Sequence, residues 1–198
     1  MSGEMPRQEM GHMRTVAEHK REYERMRDAL VKAAQLARDN AVSYRETPFL
    51  VGCAVMGWKD NDEDYVIRTA GNFTPTKAPP EEPYRGSWRG KEKRCAERNA
   101  LDAIQTDHPN GIVAIVTASR EKSTDPHASA DHDVLHPCHD CLEYIQDLLQ
   151  QGIIKPDTII YNVNDTEEPD EDESVRNLIG EERTIARLLA MYSKEEKK

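Results

Sequence analysis

The chain has 198 residues, enough to bury a substantial core, with 37% hydrophobic and 32% charged residues. Its formal charge of −10 disfavours sequence-independent binding to long nucleic acid, because that affinity comes from neutralising phosphates. No apolar run approaches the roughly 20 residues that span a bilayer, and the first residues lack the apolar stretch of a secretory signal.

In chain order, residues 1–14 read as a flexible lead without structure. From Thr15 to Asn40, Tyr23, Met26, Leu30, Ala33, Ala34 and Ala37 recur at helical spacing and make one apolar face. Pro48 interrupts, and Phe49 to Met56 reads as a buried strand. Asn61 and Asp62 mark a hairpin turn, and Tyr65 to Gly71 is the expected partner strand. Residues 74–90, rich in Pro and Gly, read as a loop. A second helix is expected from Cys95 to about Thr106, and Ile112 to Ala118 is a strongly apolar strand. A third helix runs from near Cys138 to Gln151, with Gly152 as its stop. Thr158 to Val163 is another strand. The acidic stretch Asp165 to Glu173 leads to a last helix over about Ser174 to Met191, with Val175, Leu178, Ile185, Leu188, Leu189 and Tyr192 as its stripe. Helices alternating with strands imply an α/β domain.

Two strings carry the chemistry: Cys95-Ala96-Glu97 and Pro137-Cys138-His139-Asp140-Cys141. Three cysteines suit a zinc ion that keeps one position open, as in catalytic rather than structural sites. Clustered cysteines of this kind in a reducing, cytoplasmic setting hold metal more often than they form disulfides. Both strings open helices, and the free N–H groups and positive dipole end there stabilise thiolates. Cys138 and Cys141 reach one ion from one helical turn. Glu97, two residues past Cys95, is turned from direct ligation and is placed to move protons. Zinc brings the pKa of a bound water to about 7, and a nearby carboxylate can take that proton and pass it on. A four-ligand structural site completed by His136 or His139 would leave Glu97 unexplained.

Cys95-Ala96-Glu97-Arg98-Asn99-Ala100 followed by Pro137-Cys138-x-x-Cys141 resembles the cytidine deaminase superfamily, in its free-nucleoside branch. The likeness runs from about Ala33 to Val163. It implies a three-layer α/β/α fold with a mixed sheet of about five strands, and hydrolytic removal of an exocyclic amine from a pyrimidine nucleoside or close analogue. It assigns Zn²⁺ to Cys95, Cys138 and Cys141 and the proton shuttle to Glu97. It places Phe49, in Phe49-Leu50-Val51-Gly52, beside the pyrimidine, and Asn72, after Ala70-Gly71, on the ribose. From the residues alone, Phe49 reads equally as a core aromatic and Asn72 as a turn former. The resemblance also implies a homo-oligomer, a dimer or tetramer.

Some residues depart from the pattern. Thr74 stands where the family carries a sugar-binding Glu, Leu142 replaces an Arg, and the stretch from Asn72 to Cys95 is long. These departures point to a second enzymatic reading: a nucleoside antibiotic such as blasticidin S, a modified base, or a nucleotide gripped by Arg85, Arg89, Lys91, Lys93 or Arg94. A zinc-stabilised interaction module without catalysis is the non-enzymatic alternative. The organisation expected is thus a lead (1–14), a deaminase domain (15–163), an acidic linker (164–173) and a C-terminal helix and tail (174–198).

Overall fold

The computed structural model describes residues 14–43, 50–59, 65–74, 95–119, 135–165 and 178–195. The readings of Phe49, the Asn61–Asp62 turn, the basic residues from Arg85 to Arg94 and most of the acidic stretch lie outside them.

Helix α1 (Val16–Asp39) begins at the N-cap Thr15, whose hydroxyl accepts from the Glu18 amide while the Glu18 carboxylate receives the Thr15 amide. This reciprocal pairing satisfies two of the donors that a helix start leaves open. Two short strands, β1 (Val42–Ser43) and β4 (Phe73–Thr74), pair in parallel outside the main sheet. That sheet has the order β3-β2-β5-β6-β7, from β2 (Val51–Trp58), β3 (Tyr65–Gly71), β5 (Gly111–Ser119), β6 (Ile154–Asp165) and β7 (Leu178–Thr184). Only β5 and β6 are parallel; the other neighbours are antiparallel. Helices α2 (Ala96–Gln105), α3 (His139–Gln150) and α4 (Ile185–Glu195) complete the elements.

The side-chain alternation of β2 and β5 sorts the core into two layers. On one face, Ala54, Met56, Val116 and Ala118 pack under Tyr23, Leu30, Val31 and Ala34 of α1. On the other, Cys53, Val55 and Ile115 pack under Ala100, Leu101 and Ile104 of α2, Leu142 and Ile145 of α3, and Ile185 and Leu188 of α4. Cys53 is thus a buried core residue. The expected three-layer α/β/α architecture with a mixed five-stranded sheet is what the chain adopts. No helix among the described residues is long and apolar enough to cross a membrane.

One expectation is corrected. Of the helix read over 174–191, the described part is strand β7 from Leu178 to Thr184, and the helix starts only at Ile185. Residues 178–184 carry apolar side chains only at Leu178 and Ile179, so no strand period shows in the sequence, and the open edge of β6 decides their conformation. Its backbone donors and acceptors pair with residues 178–184 in antiparallel register. Gly180 also lies against the Tyr161 ring, where a side chain would overlap it. Strand β6 starts earlier than expected, at Ile154. Its register with β5 slips between Ile112 and Ala114, where Thr158 Oγ1 accepts from the Lys155 amide and donates to the Ile112 carbonyl, at 3.0 and 2.7 Å. Gly152 ends α3 with φ 75°, a left-handed stop that suits glycine.

Tyr23 is fully buried on α1 and its hydroxyl donates to Glu182 of β7 at 3.0 Å. Burial foremost, then the Glu182 charge, pushes its ionisation far above the ordinary value of 10.0. The folded state therefore keeps this proton where the unfolded chain loses it. The resulting stability is full below about pH 10 and falls as pH rises beyond it. Tyr23→Phe should cost about 1 kcal/mol at pH 7 and flatten the alkaline decline of the melting temperature between pH 9 and 11.

Candidate metal centre and active site

Chain direction brings the two cysteine strings together. Strand β5 starts at Gly111, just after α2 ends, so α2 has its first turn at the far end, beside Ser119. Helix α3 follows β5 and starts at that same end, as ligand-binding helices do at the carboxyl ends of parallel strands. Val51 pairs with Ser119 and Ser119 with Asn164, so one sheet edge floors both helix starts.

Cys95 and Cys138 are the N-caps of α2 and α3, both in extended conformation, and neither uses its side chain to cap its helix. The thiols are therefore turned outward to each other. Cys95 Sγ lies 3.5 Å from Cys138 Sγ, and the three Sγ atoms of Cys95, Cys138 and Cys141 fall within 4.8 Å of one another. All are free thiols. The Glu97 carboxylate, 5% exposed, has Oε2 3.8 Å from Cys141 Sγ. The cluster runs from buried Cys141 and Glu97 to exposed Cys138, so it is open on one side.

The donor set fits zinc. A tetrahedral ion with Zn–S bonds of about 2.3 Å holds its sulfurs roughly 3.8 Å apart, which the 3.5 Å between Cys95 and Cys138 and the 4.8 Å limit on the whole set accommodate. Without a cation, ionisation here is opposed. Cys138 above all, partly offset by Cys141, and then burial and Glu97 raise the Cys95 thiol well above its usual range. Cys138, Cys95 and burial do the same to Cys141. Three close thiols, of which Cys95 and Cys141 resist losing their protons, are a site for a cation that displaces protons. Two helix N-termini facing the group supply further positive potential.

Among the described residues no histidine joins the cluster. His139 pairs with Glu143 on the surface, Nε2 to Oε1 at 3.2 Å. His136 is 9% exposed and faces the other way into β7, with Arg183 Nη1 3.3 Å from its Nδ1 and Glu181 Oε2 3.4 Å from its Nε2. Arg183 also bonds Glu181. This group ties the segment entering Cys138 to the sheet. Loss of its cation in Arg183→Met should weaken zinc retention about 10- to 100-fold in a chelator competition, with partial recovery in Arg183→Lys.

Other side chains hold the two helix starts. Asn99 Nδ2 donates to the Gly71 carbonyl at 3.1 Å, fixing α2 to the end of β3. The Arg98 guanidinium lies 4.7 Å over the Tyr144 ring, and Tyr144 bonds Asp102 and Gln105, joining α2 to α3. Asn72 is buried at this edge. Its Oδ1 accepts from the Val51 amide and its own amide donates to the Val51 carbonyl, both at 2.9 Å. Its side chain thus fastens the start of β2 here. Leu142 is 6% exposed in the core under α3.

The sequence reading missed Glu181 and Arg183, quoted Asn99 without a role, weighed His136 only as a fourth metal ligand, and did not see a polar floor. Thr117 and Ser119 of β5 and Asn162 and Asn164 of β6 are all buried, with Thr117 Oγ1 donating to Asn162 Oδ1 at 2.5 Å. Their spacing of two within otherwise apolar strands was the available signal.

Searches for known proteins return a divided result. No protein-family model matches the chain, and no curated protein does. Solved structures match. The cytidine deaminase of Burkholderia pseudomallei superposes with a TM-score of 0.50 at 20% identity, over 81% of this chain and 94% of that one. The chain has the cytidine deaminase fold. Cytidine deaminases of Mycobacterium leprae and, as a mutant, Mycobacterium tuberculosis match at 21% and 19% identity with TM-scores of 0.44 and 0.47, each over 82% of this chain and over 95% and 93% of theirs. In this cytidine deaminase fold, the thiols stand at the helix starts and Glu97 stands beside them.

Proposed function

We propose that the chain is a zinc-dependent hydrolytic deaminase that removes the exocyclic amine of a pyrimidine nucleoside or a close analogue. One observation carries the reading: three thiols at two converging helix starts with a buried carboxylate 3.8 Å from one of them, set on this fold. Cys95, Cys138 and Cys141 would hold the metal. Zinc bound there supplies Lewis acidity that makes water a nucleophile near neutral pH.

Glu97 does the proton work. As carboxylate it takes the two protons of the attacking water in turn, the second as the new carbon–oxygen bond becomes a carbonyl; as acid it passes the first to the ring nitrogen and the second to the departing amine, whose bond to carbon breaks and which leaves as ammonia. Its burial excludes bulk water from these transfers. Asn72 at the same edge and Phe49 are assigned to the sugar and the pyrimidine. The four free thiols suit a reducing, cytoplasmic setting, and the assembly proposed is a homodimer or homotetramer.

A second reading rests on Thr74, which offers a hydroxyl where a sugar-binding carboxylate is expected, and favours a non-standard substrate. The test is loss of ultraviolet absorbance with cytidine, deoxycytidine, their monophosphates, cytosine and blasticidin S. Turnover of the free nucleosides supports the first reading; turnover confined to blasticidin S or the monophosphates moves the assignment to the second. Silence across the panel contradicts both.

A further inference from the structure

A second cavity, of about 570 Å³, opens at the opposite end of the sheet from the thiols. Trp58 pairs with Gly111 at this end of β5 while Ser119 marks the other, eight residues or roughly 26 Å away. The cavity is the space that α1 leaves beside the starts of β5 and β6. Its volume lies in the range of small-molecule sites, and nothing in the deamination chemistry uses it.

Its wall is aromatic and apolar. Trp58 packs against His19 of α1 in a tilted contact, with ring centroids 4.6 Å apart and ring planes at 39°, and His19 Nδ1 is in turn 3.0 Å from the Tyr65 hydroxyl. Val113 and Ile159 extend this surface. The aromatic pair is thus held in place before any ligand arrives, which lowers the ordering cost of binding. Val16, also lining the cavity, is 61% exposed, an apolar side chain left in water.

Its rim is basic on an acidic protein. Arg14, Lys20, Lys155 and Arg187 line it against two acids, Asp157 and Glu182. Glu182 already receives the Tyr23 hydroxyl, and Arg14 is drawn to the Tyr65 ring, 4.8 Å from its centroid. With Arg183 the lining holds five cations against the carboxylates of Asp157 and Glu182, and of the five Lys20, Lys155 and Arg187 are the exposed ones. On a chain of net charge −10, such a reversal of sign concentrates small anions locally.

We propose that this cavity is a second ligand site, for a small planar aromatic anion. The ring lies on the Trp58–His19 wall and a phosphate or sulfonate sits among Lys20, Lys155 and Arg187. A long nucleic acid does not fit this description, because the basic groups surround one cavity instead of tracking along a surface.

The test uses the full-length, zinc-loaded protein and 8-anilinonaphthalene-1-sulfonate, followed by its fluorescence. Saturable binding of one probe per folded chain is expected, at equal affinity in Glu97→Gln. The Lys155→Glu/Arg187→Glu variant changes two exposed residues and should bind at least about tenfold more weakly at an unchanged melting temperature. Should that variant fold poorly, Lys20→Ala is expected to weaken binding about threefold. Adenosine monophosphate should displace the probe where adenosine does not. Absence of saturable binding, unchanged affinity in the charge variants, or equal displacement by adenosine would overturn the proposal.

Discussion

Glu97→Gln is expected to bind zinc as the native protein does and to turn over about 10⁴-fold more slowly, a loss near 5.4 kcal/mol of transition-state stabilisation. Glutamine keeps the shape and hydrogen-bonding capacity of the side chain but cannot take up the water's proton. Because one carboxylate serves the attack, the ring nitrogen and the leaving amine, no step is spared. Metal retention should hold or improve. The Glu97 charge is one of the causes that hold the protons on Cys95 and Cys141, so its removal eases their ionisation. Steady-state kinetics with metal analysis on the same sample checks both halves. A variant that lost zinc in parallel with activity would show Glu97 to be part of the metal's support and not the proton carrier.

The second large effect is on folding. Gly52→Ala should destabilise the protein by about 3 kcal/mol or more, a large share of a domain's usual 5–15 kcal/mol. A methyl at Gly52 would overlap the Ala34 carbonyl and the Arg38 amide of α1, and would stand 2.9 Å from Arg38 Cα. These are backbone atoms, so no rotamer change relieves them. Gly71, which pairs with Gly52 across β2 and β3, meets α1 in the same way, 2.6 Å from the Ala37 carbonyl. The two glycines form the seat on which α1 lies. Gly152→Ala provides the contrast: its nearest neighbour is the mobile end of Lys155 at 3.7 Å, and only its φ of 75° opposes a side chain, at a cost of about 1 kcal/mol. Urea unfolding followed by circular dichroism separates the two cases.

The elements that were legible in the sequence share one property: a single period explains them. The stripe from Tyr23 to Ala37 admits only a helix, and the run from Val51 to Met56 only a buried strand. Cys95, Glu97, Cys138 and Cys141 were legible for a different reason, since few arrangements use three thiols and an acid at that spacing. Residues 178–184 were not, because their fate depends on β6, a partner far away in the chain. The same holds for His136, which looks like one of several loop histidines until Arg183 and Glu181 close on it. Gly52 and Gly71 were read as parts of a family pattern around the pocket, and only packing against α1 gives their physical reason.

The central claim is zinc-dependent deamination at the three thiols. It is tested most directly by stripping the protein of metal, restoring zinc in steps, and measuring ammonia released from cytidine and the other panel substrates. The account predicts no release without metal and a rise to a plateau at one zinc per chain, absent in Cys138→Ala. Full release from the stripped protein, or release undiminished in that variant, would contradict it.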